Sequence, residues 1–243
     1  IGDNPSVKLE LLNTMSDDQL ASLTKKEIKP QAEAHDHESK FPLEIAAKAH
    51  ELGLMNPGFP EYAGGLELGI TEEVIMMEEL GVACTGIATA LGANMLAAAP
   101  LLVVDDQDIN KRFLAPMTEE LQFASYCVTE PGAGSDVRGM ECTGQRKGGD
   151  WIVNGTKHFI SHADIADFVI VFIATGEEET EKGKKKKISC FLVDRGTPGF
   201  EICAGYNSVS HRGYKNCILR FDECRLSDDQ ILGEVHRGFD IAN

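Results

Sequence analysis

The sequence predicts an α+β multidomain chain: an all-α helical domain at the N-terminus, then a small β-sandwich or β-barrel domain. Three observations predict it. Apolar residues recur at helical spacing as far as about Met117, whereas beyond about Leu121 short β-rich runs alternate with turn dipeptides. The 243 residues exceed the usual size of one domain. With 42% hydrophobic residues there is material for a sizeable core. The expected division is residues 1–120 (helical), 121–233 (β) and 234–243, the start of a further helical domain.

The helices follow in order. Ser16, with Asp17 and Asp18, is a capping residue and acidic first turn for a helix carrying Leu20, Leu23 and Ile28, which Pro30 kinks or ends. Pro42 starts the next, with Ile45, Ala49 and Leu52 on one face and Gly53 as its stop. After a Pro- and Gly-rich loop from Met55 to Gly69, Thr71 is expected to cap a helix, Ile70 and Ile75 forming a hydrophobic staple. Cys84 to Val104 is nearly all apolar or small and is expected to be a helix buried on most sides. Asp108 to Met117 closes the helical part.

The expected strands are Phe123–Thr129, Trp151–Val153, His158–Ser161, Phe168–Ala174, Ile188–Asp194, Phe200–Cys203 and Cys217–Asp222. Lys147-Gly148-Gly149-Asp150 and Asn154-Gly155 are the turn signals, the second being the strongest short hairpin signature. A last helix is expected from Glu234. No internal repeat is visible.

Composition excludes several function classes. A formal charge of -16 argues against a nucleic-acid partner or an anionic membrane surface, both of which need clustered cations. The one basic run, Lys182 to Lys187, is expected to be a solvated loop. Seven scattered cysteines without Cys-x-x-Cys are neither a disulfide framework nor a zinc site, and suit a reducing compartment. No apolar run is expected to reach the ~18 residues of a membrane span, and Ile1-Gly2-Asp3-Asn4-Pro5 has no signal-peptide character.

Chemistry concentrates in two stretches. Tyr126-Cys-Val-Thr-Glu-Pro-Gly-Ala-Gly-Ser135 is a strand ending in a loop, where Pro131 stops the ladder. Gly132 and Gly134 are free to take positive φ and leave the backbone bare for a flat ligand. The loop is not G-x-G-x-x-G, because Val137 stands where the last Gly or Ala belongs, and no P-loop lysine follows. The second stretch is Lys157-His158-Phe159-Ile160-Ser161, expected on a facing loop.

Cys127 to Asp136 resembles the flavin loop of the acyl-CoA dehydrogenases almost letter for letter. Leu52-Gly53-Leu54, Pro60 to Gly65, Asn154-Gly155-Thr156-Lys157, Leu232-Gly233-Glu234 and Gly238-Phe239 match the same family in order along the chain. The resemblance implies FAD-dependent α,β-dehydrogenation of an acyl-CoA thioester, with electrons passed to an electron-transferring flavoprotein and a homotetrameric whole protein. It also implies a cytoplasmic location in a bacterium or the mitochondrial matrix in a eukaryote. An acyl-CoA oxidase or flavin hydroxylase of the same fold is the alternative, and a truncated non-catalytic binding or assembly module is another.

The resemblance also implies the site. Tyr126, Val128, Thr129, Gly134 and Ser135 would line the flavin's pyrimidine side, Thr129 being the foremost side-chain contact, and Ser135 would also face the acyl-CoA. Phe159 stands where the family usually has Trp and would stack on the isoalloxazine. Ile160 would belong to the same wall, and Ser161 stands where Thr is usual and would bring its hydroxyl to N5. The catalytic base is expected beyond Asn243, in a third helical domain absent from this chain. Ser208 to Asn216 departs from the family's glycine-arginine pattern, leaving acyl specificity open. His158, His162 and His211 are expected to be structural or solvent-facing, and Trp151 to be packing.

Overall fold

The computed structural model describes residues 17–181 and 183–242, so the Ser16 cap and Lys182 lie outside the described residues. The chain divides into two compact units. The first holds the chain up to Met95 with Gln107–Gln122 and Asn207–Tyr214; the second holds Leu96–Asp106, Phe123–Tyr206 and the chain from Lys215.

In the first unit α1 (Asp17–Ser22) passes through a π-helical turn (Leu23–Ile28) into α2 (Lys29–Glu38). Pro30 therefore does not end the helix. Its missing N–H and its ring clash with the preceding turn are accommodated by the wider π turn that abuts it. Helix α3 (Leu43–Glu51) closes as the sequence requires: Gly53 takes φ 72° and its N–H donates to His50 O, while Leu54 N–H donates to Ala49 O. Helix α4 (Ile70–Ala83) starts two residues early, with Gly69 as N-cap. Thr71 is thus inside the first turn, and Ile70, at 75% exposure, forms no staple.

Helix α5 (Thr85–Val104) gives Thr85–Met95 to the first unit and Leu96–Val104 to the second. It is long and apolar enough to cross a membrane, contrary to expectation, yet half of it is buried within the protein, as in a core helix. It is less buried than expected, with Leu96 and Val103 exposed. Asn94 is fully buried, its amide donating to Asn56 Oδ1 and Gln122 O. Short helices α6 (Gln107–Phe113) and α7 (Ala115–Glu119) complete the unit.

The second unit is an eight-stranded sheet: β1 (Ala124–Cys127), β2 (Thr143–Lys147), β3 (Asp150–Ser161), β4 (Phe168–Thr180), β5 (Gly183–Asp194), β6 (Phe200–Tyr206), β7 (Asn216–Leu226) and β8 (Ile231–Leu232). The order is β6-β7-β3-β2-β4-β5-β8, with β1 parallel to β4. Cys127, Cys142, Trp151, Val153, Val171, Phe191, Leu219 and Phe221 anchor the core. The Trp151 indole packs edge-on to Phe191 and donates to Asp228, as a packing residue does.

One turn reading holds and three other readings are corrected. The β2–β3 hairpin turns at Gly148-Gly149, both at positive φ as a type I′ turn requires. Asn154-Gly155 is not a turn but a bulge inside β3: Gly155 sits at φ 147°, and a Cβ there would lie 2.6 Å from Cys142 Cα. The basic run is not a loop, since Lys184 to Lys187 lie in β5 opposite Gly176 to Glu179 of β4. After β8 the chain makes a 3₁₀ turn (Gly238–Ile241) rather than a helix from Glu234.

Candidate functional site

Strand β1 delivers the loop that follows it, and a buried ion pair fixes the loop's path. Lys157, wholly buried in β3, points its Nζ at Glu130 Oε1 (2.7 Å) and at Val128 O (3.1 Å). The Glu130 carboxylate also accepts from the backbone N–H groups of Glu141 and Cys142. A buried carboxylate is tolerated when its lone pairs are taken in this way. Further bonds join the two segments: His158 N–H donates to Thr129 O (2.8 Å), and Ser125 Oγ donates to Ser161 O (2.8 Å). The two stretches singled out in the sequence thus run side by side.

The loop itself is a tight turn in which Glu130 and Ala133 exchange both backbone hydrogen bonds, with Pro131 at the position proline favours. Gly132 and Gly134 do not take positive φ, contrary to expectation. Their role is vacancy of another kind: a Cβ built on either meets no atom within 4 Å, so the rim of the loop is bare backbone open to a ligand.

Each predicted residue can be placed. Tyr126 is half-buried; burial pushes its phenol up to about 12, and its OH donates to Ala242 O (2.8 Å). Val128 and Thr129 are half-buried, while Gly134 and Ser135 are exposed. Among the described residues no protein hydrogen bond reaches the side-chain hydroxyls of Thr129, Ser135 or Ser161. Phe159, Ile160 and Ser161 lie at the end of β3 rather than on a loop, where the register with β7 shifts between Lys157 and Ile160. That bulge puts Phe159 at φ 55° and turns its ring out, 57% exposed, while Ile160 is buried in the core.

The histidines divide. His162 is buried, its Nε2–H donating to Ala124 O (3.0 Å), and burial pushes its pKa down to about 4, so it is a neutral structural group. His158 lies beside Phe159 and within 3.2 Å of the Tyr206 hydroxyl. In the first unit His211 stands at φ 54° next to Arg212, whose guanidinium grips Asp36 of α2 at 2.6 Å. Those hydrogen bonds hold the Asp36 carboxyl below its usual range. Among the described residues no group of three or more His, Cys, Asp or Glu could hold a metal. The buried Cys127 and Cys190 thiols are pushed up by desolvation and stay protonated.

Two family models cover most of the chain: "Acyl-CoA dehydrogenase, N-terminal domain" matches residues 13–120 and "Acyl-CoA dehydrogenase, middle domain" matches residues 125–224. The chain belongs to the acyl-CoA dehydrogenase family. Among curated members it is 32% identical over 238 residues to the probable medium-chain specific acyl-CoA dehydrogenase 2 of Caenorhabditis briggsae, covering 97% of this chain and 58% of that protein. To the human short-chain specific acyl-CoA dehydrogenase it is 33% identical over 240 residues, covering 98% and 56%. The chain thus spans a little over half the length of these acyl-CoA dehydrogenases. A solved structure of a probable acyl-CoA dehydrogenase from Mycobacterium abscessus superposes with TM-score 0.83 at 28% identity, over 94% of this chain and 60% of that one.

Sequence reasoning passed over the Lys157–Glu130 pair, although a lysine midway along an apolar strand was a signal that it had a buried partner. It also passed over Tyr206, which nothing in the linear pattern links to Phe159.

Proposed function

We propose that this chain supplies the helical and β-sheet parts of an FAD-dependent acyl-CoA dehydrogenase. The whole protein, a homotetramer in this reading, desaturates an acyl-CoA thioester between its α and β carbons and passes the electrons to an electron-transferring flavoprotein. The observation that carries the reading is the bare-backbone loop Thr129–Ser135, tied by Lys157 and His158 to the strand end that presents Phe159. A flat ligand with a polar edge needs such a combination of open backbone, uncommitted hydroxyls and one outward ring. The residues present therefore fit a flavin.

A bound flavin would supply the acceptor for the substrate's β-hydride. The chain's own residues orient it. Backbone groups of the loop and the Thr129 hydroxyl would hold the pyrimidine edge, the Phe159 ring would stack on the flavin, and the Ser161 hydroxyl would serve N5. Ser135, exposed at the end of the loop, would face both flavin and acyl-CoA. The α-proton needs a base that no residue of this chain is assigned.

The test is FAD titration of the purified chain, followed by reduction of an electron-transferring flavoprotein by acyl-CoA with the whole protein. Phe159→Ala is expected to weaken FAD binding about tenfold, from lost stacking and lost area, and to alter the flavin spectrum. Full affinity with an unchanged spectrum sinks the stacking assignment, and no FAD binding by the wild type favours the non-catalytic module.

A second reading, oxidation by O₂, is favoured by one likeness: the prolyl acyl carrier protein oxidase AnaB superposes with TM-score 0.81 at 26% identity. Rapid reoxidation of the reduced protein in air selects it.

A further inference from the structure

Three rings meet where β3 and β6 end. Tyr206 closes β6 and pairs in register with Asn216 of β7, which pairs on its other side with Ser161 of β3. Gly205 makes this approach feasible, because a Cβ there would lie 2.3 Å from Asn216 O. The close packing brings the Tyr206 ring to 4.9 Å from the Phe159 ring, inclined at 35°. The His158 ring stands edge-on to both, at 5.6 Å from Phe159 and 5.4 Å from Tyr206. The tyrosine hydroxyl is within 3.2 Å of a His158 ring nitrogen.

Large rings close together are ordinarily buried, yet Phe159 is 57% and Tyr206 40% exposed. Phe159 is also held at φ 55°, a left-handed conformation that costs a non-glycine residue energy and that the fold retains only where surrounding contacts fix it. A strained residue that holds an aromatic ring outward, on a strand end bonded to the bare-backbone loop, calls for a functional reason. At 4.9 Å and 35° the two rings overlap face to face, so the phenol backs the phenyl ring and leaves the opposite face of Phe159 for a flat ligand.

We infer that Tyr206 is a positioning residue for the flavin site: its ring stacks on one face of Phe159 and holds the other face of that ring toward the isoalloxazine of a flavin, with His158 edge-on to both rings. The inference rests on the flavin reading above but assigns a residue that reading does not use. It predicts that the ring of Tyr206 matters more than its hydroxyl for binding.

The experiment is FAD titration of the full chain, by flavin fluorescence and visible circular dichroism, for the wild type, Tyr206→Leu, Tyr206→Phe and Phe159→Ala. Tyr206 is partly exposed, so its variants are expected to melt with the wild type. Tyr206→Leu is expected to raise the FAD dissociation constant about three- to tenfold, in line with the worth of an aromatic pair, and to change the visible dichroism. Tyr206→Phe is expected to stay within about twofold with the dichroic bands nearly retained, a rescue that loss of folding would not give. Wild-type affinity and dichroism in Tyr206→Leu, with Phe159→Ala impaired, overturn this inference and leave the flavin reading standing. Absence of FAD binding by the wild type overturns both.

Discussion

The β-sheet unit contains lysine–glutamate pairs in two settings, and they are not equivalent. Lys157 and Glu130 are 0% and 3% exposed, 2.7 Å apart, and every direction around the carboxylate is filled by a cation or a backbone N–H. On the β4–β5 ribbon, Lys185 and Glu178 face each other across the strands at 3.6 Å, and Lys184 reaches Glu177 at 3.3 Å, all of them 41–67% exposed. The groups are the same, but their surroundings differ. In the first setting the pair replaces water that the fold has excluded; in the second it competes with water that is still there. A pair of the first kind fixes a backbone path, and one of the second kind mainly keeps a ribbon soluble and in register.

Breaking the buried pair is the severest test of this contrast. Lys157→Met is expected to cost about 3–5 kcal/mol in chemical denaturation, because it leaves a carboxylate desolvated without its cation. FAD affinity should fall with it, as the loop loses the tie to Val128 O. Removing both charges, with Lys157→Met and Glu130→Gln together, is expected to recover part of that loss. A single variant costing under about 1 kcal/mol would put the two settings on the same footing and break the comparison.

His162 sharpens it from the other side, as a buried group whose fold favours the neutral form. Its folded pKa of about 4 lies below the ~6.5 of an unfolded histidine. The sign follows from proton uptake. The unfolded chain binds a proton that the native state refuses, so this contribution is full above pH ~6.5 and declines as pH falls toward 4. At pH 5 the loss is about 2 kcal/mol relative to pH 7. His162→Gln, which can still donate to Ala124 O, should remove this part of the slope in urea titrations at the two pH values.

The exposed ribbon should give the smallest response. Glu178→Ala or Lys185→Ala is expected to change stability by about 0.5 kcal/mol at most, and 1 M salt should erase the difference while leaving the Lys157→Met loss almost intact. A salt-insensitive effect at Glu178 would mean that the ribbon is not simply a solvated pair of strands.

How much of this was legible in the sequence depends on whether a signal was local. Helix α3 with its Gly53 stop and the Gly148-Gly149 turn were readable because each is set within a few residues. The loop from Tyr126 to Ser135 was readable as a strand that ends in a turn, and the structure sets Lys157 to Ser161 beside it. The failures were non-local. Asn154-Gly155 has the composition of a hairpin turn, but pairing with β7 across the sheet overrode it. Lys184 to Lys187 look like a loop until Glu177 to Glu179 are laid opposite them. Gly132 and Gly134 do not take the expected positive φ, whereas the expectation that they leave the backbone bare holds, since a Cβ built on either meets nothing within 4 Å.

The misplaced hairpin signal has a chemical consequence. Asn-Gly is the dipeptide most prone to spontaneous deamidation, which requires the asparagine side chain to swing onto the following backbone nitrogen. Here Asn154 is clamped at both ends of its amide, donating to Glu223 Oε1 and accepting from Glu223 N–H, each at 2.8 Å. Deamidation at this bond is therefore expected to be slower in the folded protein than in an unfolded peptide, and Glu223→Ala, which removes the carboxylate that holds the amide, is expected to speed it.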